Sequence, residues 1–264
     1  LTEHTFVIPT YKESPFLDSC ILNLKKQSVA STIIITTSTP TEQTKNVADK
    51  HNIKYYVNDN GKFGIGNDWN FALSKVETKL ATIAHQDDIY EKDYTESILK
   101  TSSKHQNSLI FFTDYNDLVG DTIRSNSLNY YIKKTLLLPF LFKATHKSHF
   151  FKKSILVFGD AICCPSVTFN LENIQNPESL FSPNHKCVLD WIAWLQLAKE
   201  KGSFTFVNKK LIQHRIHESS ETSVSLNSGV RKQEEFEVFK SIWGKGFAKF
   251  LMYFYSLGHK DNIV

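Results

Sequence analysis

Along the first hundred residues the apolar positions alternate between two periods. Thr5-Phe6-Val7-Ile8 is a short apolar run closed by Pro9, and 15–27 then carries Phe16, Cys20 and Leu24 at helical spacing. Thr32-Ile33-Ile34-Ile35-Thr36 is β-branched or apolar throughout, as in a strand covered on both faces. A polar helix is predicted over 41–51 and a strand over 53–57. After a Gly/Asn-rich loop over 58–66, a helix capped by Asn67 is expected to run through Trp69, Ala72, Leu73 and Val76. Leu80-Ala81-Thr82-Ile83-Ala84 is the fourth strand and leads straight into His85-Gln86-Asp87-Asp88. Another helix and a strand over 109–113 follow. This order predicts right-handed crossovers and an open, mostly parallel α/β sheet flanked by helices.

From 115 to 160 the alternation is lost. The stretch holds Tyr130-Tyr131, Lys133-Lys134, a Leu-Pro-Phe run, His146 and His149. Order returns with a strand over 165–169, a helix over 188–201 closed by Gly202, and two short strands over 204–207 and 211–212. From 229 onward the pattern is helical. On an ideal helix Trp243, Phe247, Phe250 and Phe254 share one stripe while Lys245 and Lys249 face away. Packing on the core and lying on an anionic membrane surface both fit that stripe, and Gly244 and Gly246 weaken either helix.

Composition changes this picture little. The net charge of +4 over 264 residues calls for no nucleic acid, and none is expected as a partner. With 41% hydrophobic and 22% charged residues, the chain can fill one sizeable core and does not have the composition of a disordered one. The longest apolar run, Leu136-Leu137-Leu138-Pro139-Phe140-Leu141-Phe142, is short and broken by proline, so no membrane span is expected. Leu1-Thr2-Glu3-His4 has no basic segment and leads into a strand, so no secretory leader is expected either. Cys20, Cys163, Cys164 and Cys187 form no C-x-x-C pair, and buried thiols in a reducing cytosol are the expectation. His4, His51, His105 and His185 sit among polar neighbours and are expected at the surface. Gly64 and Gly66 read as turn glycines, since Trp69 fills the third glycine position of a dinucleotide loop.

Ligands of open α/β sheets bind at the carboxyl ends of strands. That rule selects Pro9-Thr10-Tyr11-Lys12-Glu13, Thr36-Thr37-Ser38, the Gly64–Asn70 turn and His85-Gln86-Asp87-Asp88. Two adjacent carboxylates after a buried strand repel each other. A divalent cation bridging to phosphate, Mn²⁺ or Mg²⁺, relieves the repulsion; a helix cap with a first-turn acid is the plainer alternative. Further along come Leu189-Asp190-Trp191 on a helix and Gln213-His214-Arg215-Ile216-His217-Glu218-Ser219-Ser220.

Taken in order over about residues 4–223, these segments resemble the family 2 inverting glycosyltransferases of the GT-A fold. That family carries a (V/I)-P-x-Y/N-x-E opening, a G-x-x-x-A-R-N-like helix, a D-x-D-D metal motif, an E/D-D catalytic helix and an R-x-H-x-x-S element. The resemblance implies a GT-A-like domain over 1–228, with a nucleotide-binding half to about 114 and an inserted acceptor lobe over about 115–228. A helical C-terminal extension follows over 229–264. It implies that Pro9, Thr10, Tyr11, Glu13, Thr37, Ser38, Asn70, Gln86, Asp87 and Arg215 line the nucleotide-sugar site. It also implies that Asp88 and His217 hold the metal and that Asp190 is the catalytic base for the acceptor hydroxyl. The donor is expected to be a nucleotide-sugar, with a UDP-sugar favoured. The acceptor is expected to be a glycan, lipid-linked or protein-linked, in bacterial surface polysaccharide assembly, with the enzyme in the cytoplasm or at the inner face of the cell membrane as a peripheral protein. His146 and His149 are candidates for an acceptor phosphate. Three departures stand out. Thr36-Thr37-Ser38-Thr39 replaces the Asp-Asp-Gly-Ser that ends the family's second strand, removing the acid that reads the base. His85 replaces the first Asp of D-x-D-D, and Trp69 replaces the Arg before Asn70. A metal-dependent phosphohydrolase built on His85, Asp87, Asp88 and His217, and a degenerate partner subunit without activity, are the rival readings.

Overall fold

The computed structural model describes residues 2–125, 128–142, 145–217 and 229–255, with side chains omitted at 128, 129 and 254. Strands β1 (His4–Thr10), β2 (Thr32–Thr37), β3 (Lys54–Val57) and β4 (Leu80–Ile83) alternate with helices α1 (Leu17–Leu24), α2 (Glu42–His51) and α3 (Ile65–Ser74). Next come β5 (Ile89–Tyr90), α4 (Tyr94–Ser102), β6 (Ser108–Val119), β7 (Thr122–Arg124), α5 (Leu128–Leu137) and α6 (His149–Ser154). The described chain closes with β8 (Val167–Asn170), α7 (Leu189–Leu197), β9 (Ser203–Ile216) and α8 (Val230–Tyr255). The sheet runs β3-β2-β1-β4-β8-β6-β9-β5, with β7 on β6. β1 to β4 are parallel, β6 and β9 run parallel to each other, and β8 enters antiparallel between β4 and β6. This is the α/β, mostly parallel architecture expected from the alternation.

Strand periodicity sorts the apolar side chains into two cores, one on each face. Val7, Ile34, Ala81 and Ile83 face one core, which α3, α7 and α8 cover with Trp69, Trp191, Trp194 and Phe239. Phe6, Ile8, Ile35 and Leu80 face the other, covered by Leu17, Ile21 and Leu24 of α1, Ala48 of α2 and Ile98 of α4. The carboxyl ends of β1, β2 and β4 therefore open side by side at one edge of the sandwich.

Several local expectations are corrected. α3 begins at Ile65 with Gly64 (φ 100°) at its N-cap, and Asn67 sits in the first turn, donating to the Phe63 carbonyl at 2.9 Å. Gly66 is a helix residue whose missing side chain admits another segment: a Cβ there would collide with the Ser182 carbonyl oxygen. α7 stops at Leu197, four residues short of the expected end, and Ala198 rather than Gly202 is its C-cap. The two late strands are one, β9, with a bulge where Thr113 pairs Val207 but Asp114 pairs Lys210, so Asn208 and Lys209 interrupt only the apolar pattern. His4 is fully buried. Its ring nitrogens lie 2.9 Å from Ser31 Oγ and Thr82 Oγ1, and Thr82 continues to Thr168 and Tyr94. The His51 side chain is also covered, 2.8 Å from Asp18.

Residues 229–255 are built into the core rather than appended to it. Val238, Phe239 and Ala248 are buried in the core that holds Trp191. Gly244 (φ 76°, ψ 165°) breaks α8, so the ideal-helix stripe does not run through it. Trp243, Phe247 and Phe250 remain 39–56% exposed, and the Phe254 side chain lies outside the described residues.

Candidate active site

β4 delivers His85-Gln86-Asp87-Asp88 to the open edge, and the end of β9 lies over it. Asp88 is completely buried. Its Oδ1 accepts from the Arg215 backbone N–H at 2.8 Å and from His214 Nδ1 at 3.1 Å, while Oδ2 faces His85 Nδ1 at 3.6 Å. Asp87 Oδ2 accepts from His217 Nε2 at 2.8 Å, and its backbone carbonyl accepts from Arg215 Nε at 2.9 Å. Phe16, placed in advance of α1, floors this end: the Arg215 guanidinium lies 4.7 Å from its ring centre and the His217 ring 5.3 Å. The doublet and the Arg215-x-His217 element, about 130 residues apart, are thus brought together as the order of motifs predicted.

The electrostatics follow from these contacts. Burial works against ionisation of Asp87, but the hydrogen bond from His217 and the charges of His85, His214 and His217 outweigh it and hold the carboxyl below its usual range. Burial likewise opposes charge on His214, yet the carboxylates of Asp88, Asp117 and Asp87 push it up to about 9. His214 is therefore an imidazolium at neutral pH.

His85, Asp87 and Asp88 present ligand atoms within 4.8 Å of one another. His85 Nε2 is buried with no hydrogen-bond partner among the described residues, a nitrogen left over by the protein's own bonding. Two carboxylates and an imidazole suit Mn²⁺ and accept Mg²⁺ less readily. Trp69 packs against the His85 ring at 5.4 Å, so two of the departures from the family pattern touch each other.

The other predicted residues line the neighbouring strand ends. Thr10 and Thr37 are buried and tie β1 to β2, with Thr37 Oγ1 donating to the Thr10 carbonyl at 2.9 Å. Tyr11 and Glu13 are exposed beyond Pro9, and Lys12 (φ 55°) donates its N–H to Thr39 Oγ1 at 2.7 Å. Gln86 Oε1 is buried and unpaired among the described residues. Asn70 spends both ends of its amide on Phe181, at 2.8 Å each way, and so braces the 181–183 segment against α3. Sequence reading missed Asp68, whose Oδ2 accepts from Ser38 Oγ at 2.8 Å and Oδ1 from Asn58 Nδ2 at 2.9 Å. Only its position beside Trp69-Asn70 pointed to it.

Asp190 stands in the first turn of α7, its Oδ1 accepting from the Trp191 N–H at 2.8 Å. Burial raises its pKa, although Arg231, Lys133 and His85 act in the opposite sense. Asp160, which the sequence did not single out, is raised well above the carboxylate range by burial and by the Asp190 charge. α8 holds this corner. Glu234 accepts from the N–H groups of Lys186 and Cys187 just before α7, Phe239 and Tyr255 pack on Trp191, and Tyr255 Oη accepts from the Asp160 N–H at 3.4 Å. The ring of Tyr255 sits where a side chain on residue 159 would be; Gly159 at φ 149° leaves the space. His146 is elsewhere. It is buried, stacked on Phe140, and lines a cavity of about 340 Å³ with Lys100, Lys104 and His105 that contains none of the residues predicted for the donor, the metal or the base.

Comparisons with known proteins bear on the fold. Staphylococcus aureus TarS 1–349 in complex with UDP-GlcNAc superposes with a TM-score of 0.66 at 14% identity, covering 99% of this chain and 74% of that one. The mannosyltransferase PcManGT from Pyrobaculum calidifontis, in complex with GDP-Man and Mn²⁺, gives 0.61 at 11% identity, covering 94% and 73%. At these identities the likeness is one of fold. No curated protein sequence matches the chain. The sequence pattern of glycosyl transferase family 2 matches residues 5–164, more than half of the chain, and the chain belongs to that family.

Proposed function

We propose that the protein is a metal-dependent, inverting glycosyltransferase that moves a sugar from a nucleotide-sugar to a hydroxyl of a glycan or glycoconjugate. The observation that carries the reading is the joining of Asp87 to His217 and of Asp88 to His214 and Arg215 at the carboxyl ends of the strands. Pro9, Thr10, Tyr11, Glu13, Thr37, Ser38 and Gln86 line the donor site, with Asn70 bracing its wall. Asp87, Asp88, His85 and His217 would hold a divalent cation, Mn²⁺ before Mg²⁺, which supplies positive charge for the departing diphosphate. Arg215 and the His214 imidazolium add fixed positive charge at the same edge. Asp190 takes the proton of the acceptor hydroxyl as that oxygen attacks the anomeric carbon from the face opposite the leaving phosphate. Its raised pKa suits a base.

The complexes of the similar structures with UDP-GlcNAc and GDP-Man support a nucleoside diphosphate sugar as donor. In this reading the acceptor belongs to bacterial surface polysaccharide assembly. Among the described residues no helix is long and apolar enough to cross a membrane. A peripheral contact at the inner membrane face is supported by the exposed rings of Phe158, Trp243, Phe247 and Phe250, whose successive ring centres lie 5.3–5.7 Å apart, with Lys245 and Lys249 also exposed.

The test is a thermal-shift panel of UDP, GDP, CDP and ADP with and without Mn²⁺, followed by diphosphate release from the sugar donors. Stabilisation that requires both nucleotide and metal is expected, since a ligand bound to the native state alone raises its stability by mass action. Release of inorganic phosphate without any acceptor would favour a phosphohydrolase. No shift with any pair would mark a degenerate subunit.

A further inference from the structure

The second strand ends in Thr36-Thr37-Ser38, without the acid that the family resemblance leads one to expect there. The fold supplies a carboxylate at that place from a different element. Asp68, in the first turn of α3, reaches across to the end of β2 and accepts from Ser38 Oγ at 2.8 Å. Its other oxygen accepts from Asn58 Nδ2 at 2.9 Å, at the end of β3. Asn58 is itself buried, pinned by its N–H to the Thr37 carbonyl at 2.7 Å and by its amide to the Lys62 carbonyl at 3.1 Å. Its Oδ1 is buried and has no partner among the described residues.

Two neutral donors thus orient the Asp68 carboxylate without neutralising it, and it has no ion-pair partner among the described residues. Each carboxylate oxygen has used one of about two acceptor positions, so the group can still take a hydrogen bond from a ligand. Asp68 is only half-buried, which leaves it reachable. Trp69, one residue on, stands where the family pattern has an arginine, so no cation from that position competes for the carboxylate.

We propose that Asp68 reads the nucleobase of the donor, accepting the ring N–H of a base that carries one beside a ring carbonyl. The assignment rests on the nucleotide-sugar reading given above. A carboxylate accepts from uracil N3–H or guanine N1–H. Cytosine N3 and adenine N1 are themselves acceptors and would meet it lone pair to lone pair. A site built to hydrogen-bond a group rejects analogues that lack it far more strongly than an apolar pocket rejects a change of shape.

The test compares binding of UDP, GDP, CDP and ADP in Mn²⁺ by calorimetry for the wild type, Asp68→Ala and Asp68→Asn. The wild type should prefer UDP or GDP over CDP and ADP by at least about tenfold, the order expected for a hydrogen bond to a charged group. In Asp68→Ala that preference should fall below about threefold by the same conversion, through weaker binding of the favoured nucleotide. Asp68→Asn, which presents an N–H donor, should bind CDP better relative to UDP than the wild type does. A wild-type experiment needs no variant to fold: methylation of the favoured base at its ring N–H, N3-methyl-UDP or N1-methyl-GDP, should cost about as much as Asp68→Ala. Equal binding of methylated and unmethylated nucleotide, or wild-type base preference in Asp68→Ala, overturns the assignment and leaves the donor site standing. Absence of binding by all four diphosphates would bring down the donor-site reading and this assignment with it.

Discussion

On the proposed donor side Asp87 is met by His217, Asp88 by His214, and Asp68 by Ser38 and Asn58. On the proposed acceptor side Asp160 and Asp190, among the described residues, accept only from backbone N–H groups, those of Ile162 and Trp191, and have no ion-pair partner. The consequence is opposite in sign. Asp87 is held below its usual range, while Asp160 and Asp190 are raised. A carboxylate that stays charged suits cation and diphosphate binding. One whose proton affinity is raised suits proton abstraction, and pairs of acids pushed apart in this way mark divided roles. The two sides also differ in construction. The donor side rests on the β1–β4 strand–helix units closed by the end of β9, whereas the acceptor corner needs α8 to clamp α7 from more than forty residues downstream.

That difference in construction can be broken with one ring. Phe239→Ala should cost about 3–5 kcal/mol, the usual loss for a buried phenylalanine, because it removes the edge-on support of Trp191 and Tyr255. Denaturant melts should show it, with transfer lost at lower urea than metal-dependent nucleotide binding. Coincident loss of the two activities would mean that the halves do not fail separately.

Asp87→Asn attacks the donor side. It keeps the shape, removes the charge and breaks the pairing with His217, so Mn²⁺-dependent nucleotide affinity should fall by at least the roughly 10–100-fold that loss of a supporting group costs a metal site. Calorimetry with UDP or GDP checks this. An affinity within threefold of wild type would remove Asp87 from the metal site.

The donor sheet carries a pH sensitivity of its own. Burial lowers the His4 pKa from 6.5 to about 3, so the folded protein keeps the ring neutral where the unfolded chain protonates it. The unfolded state then binds the extra proton, and stability falls as pH drops from about 6.5 towards 3, by about 1.4 kcal/mol per pH unit from this group. Urea melts across that window should show a shallower slope for His4→Gln than for wild type.

How much of this was legible in the sequence divides along the same line. β1 to β4 could be read because their apolar runs are buried on both faces, and Asp87, Asp88, Arg215 and His217 because their order along the chain is that of the family. His4 was misread because its partners, Ser31 and Thr82, are 27 and 78 residues away and only strand pairing brings them in. Asp68 carries no signal of its own in the sequence, and only the fold sets Ser38 against it. Asp160 and Tyr255, 95 residues apart, share no local pattern at all. β9 was split in two because its bulge places Asn208 and Lys209 where apolar residues would continue the strand.

The smallest effect on stability is expected at the surface. Phe250 is 56% exposed, and Phe250→Ser should change stability by no more than about 0.5 kcal/mol. Co-sedimentation with anionic vesicles should nevertheless drop if the ladder of Trp243, Phe247 and Phe250 touches a membrane. Unchanged sedimentation would leave the ladder without that role.

The division of labour is tested most directly by Asp190→Asn, assayed on one sample for fold, donor affinity and sugar transfer. General-base catalysis is typically worth about 10²–10⁴ in rate, and the base acts only on the acceptor hydroxyl. Transfer should therefore fall by that factor while the Kd for the donor nucleotide in Mn²⁺ stays within about twofold of wild type, a change of less than 0.5 kcal/mol. Wild-type transfer by a folded Asp190→Asn protein, or a donor affinity that falls together with the rate, would contradict the account.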